Sequence, residues 1–164
     1  MPRTTAELVL ELERTRSETL GCYGLGEAEL ERTYGPGKWS VKFILHHLAD
    51  SENVLYERIC RTIAEPRQTL TVFRESMWAE KLDYGSLPLE VSRGIYDSLR
   101  TAHIHYARKF YATHGHLEFD HSELGPRTLT QEFDKVADHN EHHLAQIRTA
   151  LGIGNSAPDI SRIG

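Results

Sequence analysis

Cysteine is scarce: Cys22 and Cys60 are the only two in 164 residues, and no CxxC pair occurs. So few thiols exclude a disulfide-stapled secreted scaffold and a cysteine-ligated metal site. Positive charge is short as well. Nineteen Lys and Arg stand against 24 Asp and Glu, a formal charge of −5. Duplex binding draws its affinity from clustered cations, so no nucleic-acid partner is expected. Long apolar runs are missing too, and none approaches the roughly 18 residues that suggest a membrane span. Charges at Arg3, Glu7, Glu11, Glu13, Arg14, Arg16 and Glu18 break any signal-peptide core. No membrane partner is expected, and the expected location is cytoplasmic.

What is present suits one ordinary globular domain spanning residues 1–164, with 39% hydrophobic and 26% charged residues. A chain of this size buries roughly 70% of its unfolded surface, enough for a core without staples. Thr4 and Glu7 spell a capping box, and Leu8, Leu12 and Thr15 continue at helical spacing, which predicts a first helix from Thr5 to Cys22. Gly35-Pro36-Gly37 stops propagation. Ser40 then caps a long amphipathic helix to Ile63, with Val41, Ile44, Leu45, Leu48, Leu55 and Ile59 as its apolar stripe. A long connection follows, with a short helix over Arg74–Leu82 that carries Trp78. Val91, Ile95, Leu99, Ala102 and Tyr106 predict a third long helix over Leu89–Ala112, and Thr128 with Gln131 caps a fourth that Gly152 ends. The stretch from Thr113 to Arg127 reads as loop, and no strand alternation is evident. The pattern predicts an all-α fold, an antiparallel four-helix bundle with one long crossover connection.

Ten histidines are the unusual feature. His139 and His143 lie one helical turn apart, and at about 100° per residue they share a stripe with Val136, Ile147 and Ala150. Lys135, Asp138, His142 and Thr149 fall on a different, polar stripe. Burying two imidazoles without partners costs on the order of a few kcal/mol, so one metal serving both is an economical solution. Two core histidines bonded to neighbours would fit the pair equally well. On the second long helix, His47 flanks the buried stripe whereas His46 lies nearer the opposite side, which makes His47 the better third ligand. A zinc-protease reading fails because Asn140 stands where the HExxH glutamate would act as base, and Glu141 points about 100° away. A ferritin-like diiron reading fails because only Glu118 to His121 gives an ExxH motif, in a predicted loop.

Gly37-Lys38-Trp39-Ser40-Val41, Ile44-Leu45-His46-His47-Leu48-Ala49-Asp50 and His139-xxx-His143-Leu144-Ala145-Gln146-Ile147 together resemble the DinB/YfiT-like family over nearly the whole chain. In that family tryptophan and serine open the second long helix, with the ligand histidine eight residues after the tryptophan, which is His47 here. The second family motif, HxxxH followed by glutamine, is matched by His139, His143 and Gln146. The run Glu123-Leu124-Gly125-Pro126-Arg127-Thr128-Leu129 also resembles the family's lead into its last helix. The resemblance implies a bundle in which those three histidines hold a divalent metal near one end. Asn140 departs from the aspartate common at that place in related sequences.

Three neutral nitrogens leave coordination positions free for water or substrate, the pattern of a catalytic site. Zinc, nickel, iron and manganese all suit imidazole ligation. The resemblance implies a metal-dependent hydrolase or a thiol-dependent transferase using a low-molecular-weight thiol, acting on a small-molecule substrate. A metal- or small-molecule-binding, stress-related bundle without turnover is the competing expectation. A homodimer is compatible with such a bundle. Trp78, Tyr84 and Tyr106 are candidate pocket walls, and Trp39 is expected to pack beneath the second long helix. His103, His105, His114, His116 and His121 are expected to be solvated or loop-bonded, with His121 nearest the ligand helix.

Overall fold

A computed structural model of the chain describes residues 3–153, so the expected domain limits at 1 and 164 lie outside the described residues. Four long helices dominate: α1 (Thr5–Cys22), α3 (Val41–Ala64), α5 (Leu89–His114) and α6 (Leu129–Leu151). Two short ones, α2 (Glu27–Leu30) and α4 (Glu75–Lys81), lie in the connections. The predicted caps form. Thr4 and Thr128 each close a capping box, Ser40 accepts from the Phe43 amide, and Gly152 ends α6 in the left-handed conformation at φ 71°. Each satisfies backbone groups that a helix end leaves unpaired.

In the bundle, α1 and α3 occupy opposite corners, each bordered by α5 and α6. Side-chain pairs give the directions. His46 meets Ser92 and Glu52 meets Arg100, so α3 and α5 run parallel. Arg3 meets Asp138, Arg14 meets Glu141 and Glu18 meets Arg148, so α1 and α6 run parallel as well, while Tyr111 with Asp134 sets α5 against α6. Parallel neighbours need a long return, and the crossover between α3 and α5 supplies it.

The core is layered. One apolar cluster packs Leu8, Leu12, Leu55, Ile59, Phe133 and Val136. The other packs Ile44, Leu45, Leu48, Tyr96, Leu144 and Ile147. Between them lies a buried polar layer. Arg100 donates to Glu52 through both Nε (3.0 Å) and Nη2, and to Thr15 Oγ1 (2.8 Å). His103 Nδ1 lies 2.6 Å from Glu52 Oε2, and Asn140 Oδ1 accepts from Tyr96 Oη at 2.6 Å and Arg100 Nη2 at 2.5 Å. Burial alone would raise the Glu52 carboxyl, but Arg100 and His103 overcome it and hold the group at about 2.

This layer corrects three expectations. On α5 the buried face is Ser92, Tyr96, Arg100, His103, Ala107 and Tyr111, whereas Val91 and Ile95 are exposed. His103 is fully buried rather than solvated. His46 is also buried, with its Nδ1 2.7 Å from Ser92 Oγ, because α5 packs on the side of α3 away from His47. A further correction is a small sheet where none was expected. Strand β1 (Thr69–Leu70) pairs parallel with β2 (Glu118–His121), which forms a hairpin with β3 (Gly125–Thr128). Strands of two to four residues are too short to show alternation, and they pair because α3 and α5 end side by side.

Candidate metal centre

His47 sits in the second turn of α3, and His139 and His143 sit one turn apart on α6. Because α6 runs antiparallel to α3, the early turns of one helix meet the later turns of the other, and the three imidazoles converge. One ring nitrogen from each lies within 4.8 Å of the others. His47 Nε2 and His139 Nε2 are 3.1 Å apart. Nitrogen ligands at about 2.0–2.1 Å from zinc in a tetrahedron lie about 3.3–3.4 Å from one another, so the cluster is close to the dimensions of a coordination sphere.

The donor chemistry fits too. His143 Nδ1 lies 2.8 Å from Gln146 Oε1, an oxygen that can only accept, which places the proton on Nδ1 and leaves Nε2 free as a ligand. Gln146 Nε2 in turn donates to His142 Nε2 at 3.1 Å. Partners of this kind orient a ligand imidazole, and their loss typically costs about 10–100-fold in metal affinity. Gln146→Ala should therefore weaken zinc binding by about that factor in a chelator-competition titration. Unchanged affinity would show that packing alone sets the His143 tautomer.

Burial pulls the rings down from the ordinary histidine value: His46 to about 4, His47 to about 2, His139 to about 3 and His143 to about 4. Mutual repulsion adds to the effect at His47 and His139. All are neutral at pH 7, the state in which imidazole ligates metal. In the metal-free protein these rings resist protonation, whereas the unfolded chain takes up protons near pH 6.5. Stability is therefore full above about pH 6.5 and falls as the pH drops towards 4. Urea midpoints of metal-free protein between pH 7.5 and 4.5 should decline accordingly; a flat profile would mean that the rings are solvated.

The crossover roofs the site. Phe73 stacks on His47 with ring centroids 5.7 Å apart and planes 4° from parallel, and Trp78 packs edge-on against Phe73. Trp39 lies 5.2 Å from the His47 ring and so walls the site as well as packing against α3. Two cavities meet at His139 under this roof. The larger, about 460 Å³, reaches Trp39, His142, His143 and Gln146. The smaller, about 200 Å³, reaches Ser51, Arg58, His121 and Lys135. Tyr84 is instead fully buried and donates to Asp50, and Tyr106 stacks on Tyr56 away from His47, His139 and His143, so neither lines these cavities. Lys135, expected on a polar stripe, is half-buried over the site one turn before His139.

Asn140 faces the polar layer rather than the imidazoles. His121 is loop-bonded as expected, its Nδ1 accepting from the amides of Glu123 and Leu124 at 3.2 and 3.3 Å. The cysteines offer no nucleophile, since burial pushes the Cys22 thiol up to about 12 and raises Cys60 also. Phe73, Ser51 and Lys135 carried no sequence signal of their own, because neighbouring elements bring them to the histidines.

Bundle and site define a class of protein: a four-helix bundle with three histidines converging beneath a crossover. The chain belongs to the DinB superfamily, which matches residues 11–147. A "putative metal-dependent hydrolase" of Oceanobacillus iheyensis is 32% identical over 123 residues, 75% of this chain and 71% of that protein. A protein of the same description from Halalkalibacterium halodurans is 31% identical over 127 residues, 77% and 74% of the two chains. The fold is that of YfiT from Bacillus subtilis, described as "a probable metal-dependent hydrolase with an unusual four-helix bundle topology". The TM-score is 0.80 at 21% identity, over 91% of this chain and 88% of that one. Among the described residues no helix is long and apolar enough to cross a membrane.

Proposed function

We propose that the protein binds one divalent transition metal through His47, His139 and His143 and hydrolyses a small-molecule substrate beside it. The observation that carries this reading is the convergence of three neutral imidazoles, one oriented by Gln146, on a point that two cavities share. Relatives described as metal-dependent hydrolases support it. A bound metal would supply Lewis acidity and lower the pKa of coordinated water to about 7. The chain's own residues do the rest. Gln146 holds the His143 ring in one tautomer, and Phe73 and Trp39 keep the approach apolar, which strengthens electrostatic interactions inside.

Thiol transfer is the second reading, favoured by the two separate cavities at His139, which give room for a low-molecular-weight thiol beside an acceptor. The test loads the protein with zinc, nickel, iron or manganese and screens ester, amide and lactone hydrolysis against thiol conjugation. Turnover that needs metal but no thiol supports the hydrolase. Turnover that needs a thiol replaces it with the transferase, and bound metal without turnover across both screens would leave a metal-binding bundle.

A further inference from the structure

The smaller cavity holds a set of hydrogen-bond donors that metal ligation does not use. His121 is 6% exposed, and because its Nδ1 accepts two backbone amides its proton resides on Nε2, which has no partner among the described residues. Arg58, 2% exposed, spends Nη1 on Glu132 at 3.2 Å and Nη2 on the Thr71 carbonyl at 2.8 Å, and its Nε is buried without a partner. Lys135 is half-buried and makes no hydrogen bond or ion pair among the described residues. Ser51 also lines the cavity, but its Oγ lies 3.3 Å from His47 Nε2 and is already engaged there. A buried donor without an acceptor, such as Arg58 Nε, is costly, and with the His121 N–H and the Lys135 ammonium on the same wall it describes a place for an anion.

The acidic groups on the same wall narrow the choice. Of its two carboxylates Glu123 is held by Arg74 at 2.6 Å, which leaves Glu75 as the acid without an ion-pair partner among the described residues. One ammonium and one imidazole N–H suit the two oxygens of a singly charged group, and Glu75 would repel a dianion. The volume, about 200 Å³, falls below the roughly 300–1,000 Å³ of a whole drug-sized site, so it takes a head group.

We infer that this cavity binds the carboxylate of the substrate, with Lys135 and His121 as its recognition residues and the bond to be broken placed at the histidine cluster. The rest of the substrate then extends into the larger cavity beside Trp39. This deepens the metal-centred reading above and rests on it for the placement of the reacting bond, but the carboxylate site itself is testable without turnover. Lys135 is a specificity determinant four residues from His139 on one face of α6.

The probe is butyrate, followed through the histidine ring resonances in nitrogen–proton spectra of metal-free and zinc-loaded protein. Saturable shifts at His121 in both forms are expected, with none from butyramide. Lys135→Gln should weaken butyrate about tenfold, the loss of one charge-assisted hydrogen bond, and Lys135→Arg should restore most of it. Zinc content unchanged in Lys135→Gln separates this site from the metal site. Butyrate binding equal in wild type and Lys135→Gln, or present only with zinc, overturns the inference and leaves the metal reading intact. Inorganic phosphate shifting His121 at lower concentration than butyrate overturns the carboxylate assignment.

Discussion

Arg100→Ala should destabilise the protein by about 3–5 kcal/mol, the usual cost of removing one partner from a buried ion pair. Arg100 is fully buried and Glu52 is 2% exposed. The guanidinium is the larger of the two influences that keep the Glu52 carboxylate ionised inside the bundle, and without it only His103 remains beside that charge. Thr15 Oγ1 loses its donor in the same step, and Asn140 Oδ1 keeps only Tyr96 of its two. Urea unfolding followed by circular dichroism measures the loss. The double variant Arg100→Met, Glu52→Gln removes both charges, and should recover a large part of the stability because no unpaired charge remains. A loss below about 1 kcal/mol for Arg100→Ala would show that water reaches the layer, since solvated ion pairs contribute no more than that.

His143→Ala should remove the metal. Four-ligand structural zinc sites contribute about 10–16 kcal/mol, so one ligand accounts for about 2.5–4 kcal/mol, about two to three orders of magnitude in affinity. The variant also strands Gln146, whose carbonyl orients no other ligand ring. Elemental analysis of tag-free protein should find near one equivalent of transition metal in the wild type after zinc or nickel loading, and trace metal in the variant. The helical circular dichroism should be unchanged, because the two apolar clusters and the polar layer do not include His143. Equal metal in both after loading would mean that the histidine stripe is core packing, and the enzyme reading would fall with it.

The bundle was legible in the sequence because α1, α3 and α6 advertise themselves by caps and apolar stripes: Leu8 and Leu12, Ile44 and Leu48, Val136 and Ile147 are all buried as the spacing requires. Helix α5 was legible in extent but not in phase. Its buried face is the polar one, since Arg100 and His103 find their partners on α3 and α1, information that no single segment carries. Apolar periodicity therefore selected Val91 and Ile95, which are exposed. The three histidines could be chosen from helix phase, two by their spacing and the third by its edge position. The small cavity could not, because Lys135, His121 and Arg58 come from three elements that only the fold brings together.

The crossover has one further consequence. Residues 71 to 78 roof the histidines through Phe73 and Trp78, yet they are fastened mainly at their rim, through the Ser122 hydroxyl, the Glu123 carboxylate and Arg58. The polar layer that specifies how the helices pair lies elsewhere, on α1, α3, α5 and α6. Scaffold and roof are thus separable under selection: the length and composition of this strap can drift, reshaping what enters, while the register of the helices is kept by residues the strap never meets. A lineage built on this plan can change its substrates by editing a surface connection and leave its folding determinants untouched.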